Sequence, residues 1–177
     1  MKQLNSSTSF TLIELVIVIT FILMFTGFSI GYYGQFTEQK KLENETKKIG
    51  TILNLARAKT ISGDSSLCGF APASSAKVTQ YSLDVINGGK YALQPECLVG
   101  TPTPIFYLTD PHIAFPTPAL SVVFSPLTGN TQCSYIYVKN TVIGGASGAC
   151  RYVKITQTGL VTEDSCAACD TCPTTCP

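Results

Sequence analysis

The stretch SFTLIELVIVITFILMF, residues 9–24, sets one carboxylate, Glu14, inside an otherwise unbroken apolar run. Residues 15–37 include no Asp, Glu, Lys, Arg or His. These 23 residues, at about 1.5 Å each, reach the roughly 30 Å needed to cross a bilayer as a helix. A cleaved secretory signal has an apolar core of only about 7–15 residues and ends at an A-x-A-like site; no such site follows here. The run therefore predicts a membrane-spanning helix over about residues 10–36. Lys2 and the α-amino group precede it, with no acid before Glu14. That asymmetry places the short N-terminal end in the cytoplasm and the rest of the chain outside it.

Beyond the run the pattern changes. In QKKLENETKKIGTILNLARAKTI, Leu42, Ile49, Ile52, Leu53 and Ala56 recur at near-helical spacing, with Lys40, Lys41, Glu43, Lys47 and Lys48 largely opposite. This predicts that the helix continues as an amphipathic one to about Ile61, where Ser62, Gly63 and Asp64 supply a break. After residue 63 come short alternating runs, VTQYSLDV, GKYALQP, IFYL, SVVFSP, SYIYVK and RYVKITQTGLV, separated by Gly and Pro. They read as antiparallel strands with Pro-rich edges. An apolar stripe must be buried, and the nearest surface is one sheet face. The expected fold class is α+β: a long N-terminal helix, membrane-spanning in its proximal half and amphipathic in its distal half, packed on an antiparallel β-sheet head.

All eight cysteines, Cys68, Cys97, Cys133, Cys150, Cys166, Cys169, Cys172 and Cys176, lie beyond the apolar run. An even count in an exported region favours disulfides. The tail CAACDTCPTTCP matches the C-x2-C-x2-C-x3-C-P spacing of bacterial ferredoxins, but the fourth cysteine of such a run serves a second cluster, and no second run exists. Zinc is the other metal such pairs hold. The sole histidine, His112, stands apart in a Pro-rich loop and reads as a lone exposed or packed imidazole. The expectation is therefore no metal and no cofactor. The preferred pairing is Cys68 with Cys97 and Cys133 with Cys150, each closing a β-excursion, with the four tail cysteines stapling the C-terminus.

Beyond residue 63 five bases (Lys77, Lys90, Lys139, Arg151, Lys154) face seven acids, a net charge of −2. A negative head gains nothing from phosphate neutralisation, so nucleic-acid binding has no electrostatic footprint here. With one histidine and scattered Ser and Thr, no nucleophile, base and orienting group can be assembled, and the reading is not an enzyme.

A short basic leader, FTLIELVIVI, and a long helix leading into a β head together resemble the type IV prepilins and pseudopilins. The resemblance implies cleavage by a prepilin peptidase between Ser9 and Phe10, N-methylation of Phe10, and assembly through Glu14. The family usually has Gly before the scissile bond, where this chain has the small Ser9. ILNLARAKTI, SVVFSPLTGN and RYVKITQTGLV further resemble the heads of GspH/FimT-type minor pseudopilins, in which Arg57 would be a solvated or head-facing helix residue; a major pilin is the other branch. Three readings of Glu14 stand side by side: a T-x-x-E capping box with Thr11, snorkelling to an interface, or pairing with the new α-amine of Phe10 on a neighbouring subunit. Gly27 and Gly31 have the G-x-x-x-G spacing that permits close helix approach, beside the ordinary tolerance of Gly in membrane helices.

These readings divide the chain into a leader (1–9), a pilin helix (10–62) and a disulfide-stapled head (63–177). They predict a minor pilin or pseudopilin of a type IV pilus or type II secretion filament, held by a single pass in the inner membrane and then moved into an extracytoplasmic filament. Its partners would be sibling subunits, the prepilin peptidase and an inner-membrane assembly platform. The alternative is a membrane-anchored extracytoplasmic binding module that never polymerises.

Overall fold

The computed structural model describes residues 11–69, 77–86, 89–116, 120–143, 149–166 and 169–173, without the side chains of 28–32, 77 and 170. The chain divides into two compact units, Met1–Thr37 and Glu38–Pro177. Helix α1 (Leu12–Ser62) contributes to both. Its C-terminal end is a Schellman motif: Gly63 takes φ +63°, its N–H donates to Thr60 O at 3.3 Å, and the Asp64 N–H donates to Lys59 O at 3.1 Å. The break expected at residues 62–64 is thus a capped helix end.

In the second unit, β2 (Lys77–Ile86) and β3 (Lys90–Val99) form a long antiparallel hairpin. With β5 (Ile105–Leu108) and β7 (Leu120–Val123) they make a sheet of order β5-β3-β2-β7. A second sheet, β10-β9-β8-β6, is built from β6 (Ile113–Ala114), β8 (Ser134–Asn140), β9 (Cys150–Ile155) and β10 (Val161–Cys166). The two-residue strands β1 (Cys68–Gly69) and β4 (Thr101–Pro102) pair with each other, and a 3-10 turn spans Cys169–Thr171. Alternation explains the sheets: Tyr81, Leu83 and Val85 of β2 are buried, and Gln80, Ser82 and Asp84 between them are not. Period-two burial of this kind pins the strand register.

The core joins Leu42, Ile49, Ile52, Leu53 and Ala56 of α1 to Tyr81, Leu83, Tyr91, Leu93, Phe124, Ile136, Val153 and Ile155 of the sheets. Each large side chain fully buried there contributes about 1.5–3 kcal/mol. Thr60, also buried, ties helix to sheet by a polar link: its hydroxyl donates to Ala56 O at 2.8 Å and accepts the Tyr81 N–H at 3.2 Å.

The expected architecture is corrected in two respects. The described residues hold two helices and three sheets rather than one long helix laid on a single sheet. The strands divide because the chain splays after β7: the Thr131 N–H donates to Gln157 O, so residues 131 onward join β9 and leave β7 as a sheet edge. Second, no helix among the described residues is long and apolar enough to cross a membrane. The inner-membrane anchor with a cytoplasmic N-terminus is overturned on the same ground.

The cysteine pairing is partly corrected. Cys68–Cys97 forms as expected, with Cα atoms 5.9 Å apart. Cys150, however, pairs with Cys169 and not with Cys133, and Cys166 pairs with Cys172, both at a Cα separation of 5.3 Å. Pairing β9 with β10 sets Cys150 directly opposite Cys166, so the tail folds back on these two positions. Cys133 is also disulfide-bonded, and Cys176 lies outside the described residues.

Candidate assembly surfaces

In the first unit, every described side chain from residue 11 to residue 27 is exposed. Leu12, Leu23 and Phe25 are 81%, 68% and 70% exposed, and Val16, Ile19 and Ile22 are exposed as well. The hydroxyls on this segment are satisfied internally: Thr20 donates to Val16 O at 2.8 Å, and Thr26 donates to Ile22 O. A helix that is apolar all round needs an apolar environment supplied by something else.

Glu14 is the one charged residue on residues 12–27. Its backbone N–H donates to Thr11 Oγ1 at 3.4 Å and Thr11 O at 3.1 Å, which makes Thr11 the N-cap. The carboxylate has no partner among the described residues, so the return half of the capping box is not formed there. A side-chain carbon added at Gly27 or Gly34 would meet nothing within 4 Å, and the helix face at each is open. Gly31 belongs to α1, but its surroundings, like Ser9 and Phe10, lie outside the described residues.

In the second unit, the three short segments that carry the minor-pseudopilin resemblance meet at Arg57. Its Nη2 donates to Thr158 O at 3.1 Å. Gly129 and Gly159 adopt φ +63° and +73°, and a Cβ on either would stand 2.9 Å from Arg57 Cγ or 2.8 Å from Arg57 Nε. Two left-handed turns therefore close around one arginine stem, and only glycine suits either position. From the sequence alone Arg57 reads as a solvated or head-facing residue. The signal that could have found this site was the matched T-G at 128–129 and 158–159, each in a turn context.

Glu38, the first residue of the second unit, is a polar hub. Its carboxylate accepts from Asn140 Nδ2 at 2.9 Å and Lys41 Nζ at 2.8 Å, and His112 Nδ1 lies 3.2 Å from both oxygens. Buried Asn140 also donates to Glu38 O at 3.2 Å and accepts the N–H groups of Val142 and Ile143. The Asn140 amide foremost, then the Lys41 ammonium, hold the Glu38 carboxyl down at about 2. The same contact with Glu38 raises Lys41. Far from standing alone, His112 bridges the hub to Asp110, whose Oδ1 is 3.7 Å away. This is a structural junction between α1 and the β6–β8 pair.

The tail packs on tyrosines of the second sheet. Tyr135 stacks on Tyr137 with centroids 6.2 Å apart and meets the edge of Tyr152 at 5.7 Å. Cys150, Cys166 and Cys172 pack with Tyr137 and Tyr152, and the Tyr137 hydroxyl donates to Pro173 O. Burial raises the Tyr137 phenol. Cys166, Cys169 and Cys172 of the ferredoxin-like run each lie in a disulfide, and a cystine offers no thiolate. Among the described residues no group of three or more His, Cys, Asp or Glu is arranged to hold a metal ion.

No family model, curated protein or solved structure matches the chain.

Proposed function

We propose that the chain is a structural subunit of a helical filament of the type IV pilus or type II secretion kind, a minor pilin or pseudopilin. In this reading a prepilin peptidase cuts between Ser9 and Phe10. Sibling subunits then cover the proximal helix, and the Phe10 amine of one copy meets Glu14 of the next. The observation that carries it is the exposed apolar surface of residues 12–27 around one carboxylate that has no partner among the described residues. Packing between copies would bury that surface. The amine would neutralise a charge that is otherwise expensive to desolvate.

Incorporation of Glu14→Ala into fibres, scored beside disulfide mapping of the same preparation, tests the proposal. The expected result is a chain with the native Cys68–Cys97 linkage that fails to enter fibres. Unchanged incorporation would sink it. Mass spectrometry of the mature chain should find methylated Phe10 at the N-terminus, and an intact Met1 on fibre-borne subunits would count equally against it.

A further inference from the structure

Between β7 and the segment after it lies a cleft of about 570 Å³, within the usual range of binding pockets. It is a splayed hairpin. Residues 120–125 form one arm and residues 130–134 the other, joined at the closed end by the Ser125 N–H donating to Asn130 O at 2.6 Å. Beyond that bond the arms diverge, because Thr131 and Ser134 pair with the β9 side of the second sheet.

Among the described residues the inner arm is the edge of a sheet. β7 is the terminal strand of the order β5-β3-β2-β7. The Phe124 N–H donates to Tyr81 O, and Val122 and Leu120 face Leu83 and Val85 in the same antiparallel register. Hydrogen-bonded positions alternate along such a pair, so residues 120, 122 and 124 spend their main-chain groups on β2. Ser121 and Val123 turn theirs outward, toward the cleft. Among the described residues no main-chain hydrogen bond engages those outward groups. No ionisable side chain lines the cleft on either arm.

From this geometry we infer that the cleft is a β-augmentation site. It takes one short, extended, uncharged segment of another protein, which adds a strand to β7. A row of main-chain donors and acceptors at strand spacing is satisfied by another extended backbone and not by a helix, whose own groups are already used. Four paired residues span about 13 Å, which is the length of β7. The charge beside the edge selects the occupant's side chains: the Asp84 carboxylate is held by Ser121 Oγ, so an acidic residue entering here would meet like charge and a basic one would have to displace that bond, each at a desolvation cost, whereas the Ser, Thr, Asn and Gln of the walls match hydroxyl and small apolar side chains. The site lies wholly within the second unit and depends neither on leader cleavage nor on Glu14, so it stands or falls apart from the filament reading.

Amide hydrogen exchange on the full-length, unassembled chain tests the inference, with the neutral peptide Ac-Ser-Val-Thr-Val-Ser-Val-NH2 as probe. At about millimolar peptide, the Ser121 and Val123 amides should exchange at least about tenfold more slowly. A version N-methylated at alternate amides should give no protection, and one with Lys or Glu at the Ser and Thr positions should bind more weakly. Val123→Pro removes an outward N–H that β2 does not use, so the fold should persist and the protection vanish. If that variant fails to fold, Gln132→Lys brings a charge into the cleft from the other arm and should also abolish protection. Equal protection by the N-methylated peptide, or none by the neutral one, would overturn the inference. So would amides already protected without peptide. Protection that is lost on dilution would identify a second copy as the occupant, and protection independent of concentration would mean the chain covers its own edge.

Discussion

Two stretches of α1 share a backbone conformation and differ in every other respect. Over residues 12–27 the apolar side chains point in all directions and stay exposed; over residues 42–56 most share one face, and Leu42, Ile49, Ile52, Leu53 and Ala56 are at most 5% exposed while Leu55 turns outward. The two stretches find their apolar neighbours in different places. A one-sided stripe is answered by a sheet of the same chain, and an all-round surface asks for neighbours on every side.

Side-chain truncation separates the two stretches. Leu53→Ala should destabilise the second unit by about 2–5 kcal/mol, the range for a fully buried leucine. Ile19→Ala should stay within about 0.5 kcal/mol, as expected of a surface substitution. Urea unfolding of the full-length chain, followed through its tyrosines, reads both. Equal losses would mean that residues 12–27 are buried within the monomer, and the distinction would disappear.

A smaller effect sharpens the distal side. Gly159→Ala puts a methyl group at φ +73° and within 2.8 Å of Arg57 Nε, which should cost about 1–3 kcal/mol. Gly27→Ala, on an open face with nothing within 4 Å, should instead be neutral or slightly helix-stabilising. A Gly159→Ala chain as stable as the parent would show that the turns do not need to close on Arg57.

The distal stripe was legible because 3.6-residue spacing admits one solution once a sheet is present. β2 and β5 are legible for the analogous reason of alternation. β1, β4 and β6 are two residues each, too short to carry a period. β10 escaped because its burial runs intermediate, four exposed, then buried, with no apolar alternation along VTEDSC. The Cys150–Cys169 link depends on the Cys150–Cys166 register, which spacing alone does not contain. Neither does spacing reveal that Thr131 turns to Gln157 and divides the strands into two sheets. The membrane-spanning expectation counted residues lacking formal charge, although Tyr33, Gln35 and Thr37 add length without matching hydrophobicity. The Glu38 hub draws on residues 38, 41, 110, 112 and 140, and no local motif unites those positions.

The smallest effect concerns acid, and it too falls on the distal side of the helix. Hydrogen bonds from Asn140 and Lys41 hold Glu38 at about 2, Lys40 and Lys47 hold Glu43 at about 2, and Lys59 with the Ser66 N–H holds Asp64 at about 2. Ordinary values for these groups are 4.5, 4.5 and 3.8. The folded form therefore binds protons more weakly than the unfolded one. The stabilisation is fully present above about pH 4.5 and is lost progressively as pH falls toward 2. The side chains of Lys40 and Lys47 are 52% and 59% exposed, so solvent screens the Glu43 pairs and their share is slight. Glu38→Gln removes the most enclosed of the three acceptors, since its side chain is only 15% exposed. Its urea midpoint should be lower than the parent's at pH 7, and the two curves should converge toward pH 2. A gap that persists unchanged at pH 2 would show that Glu38 acts through shape and not through charge.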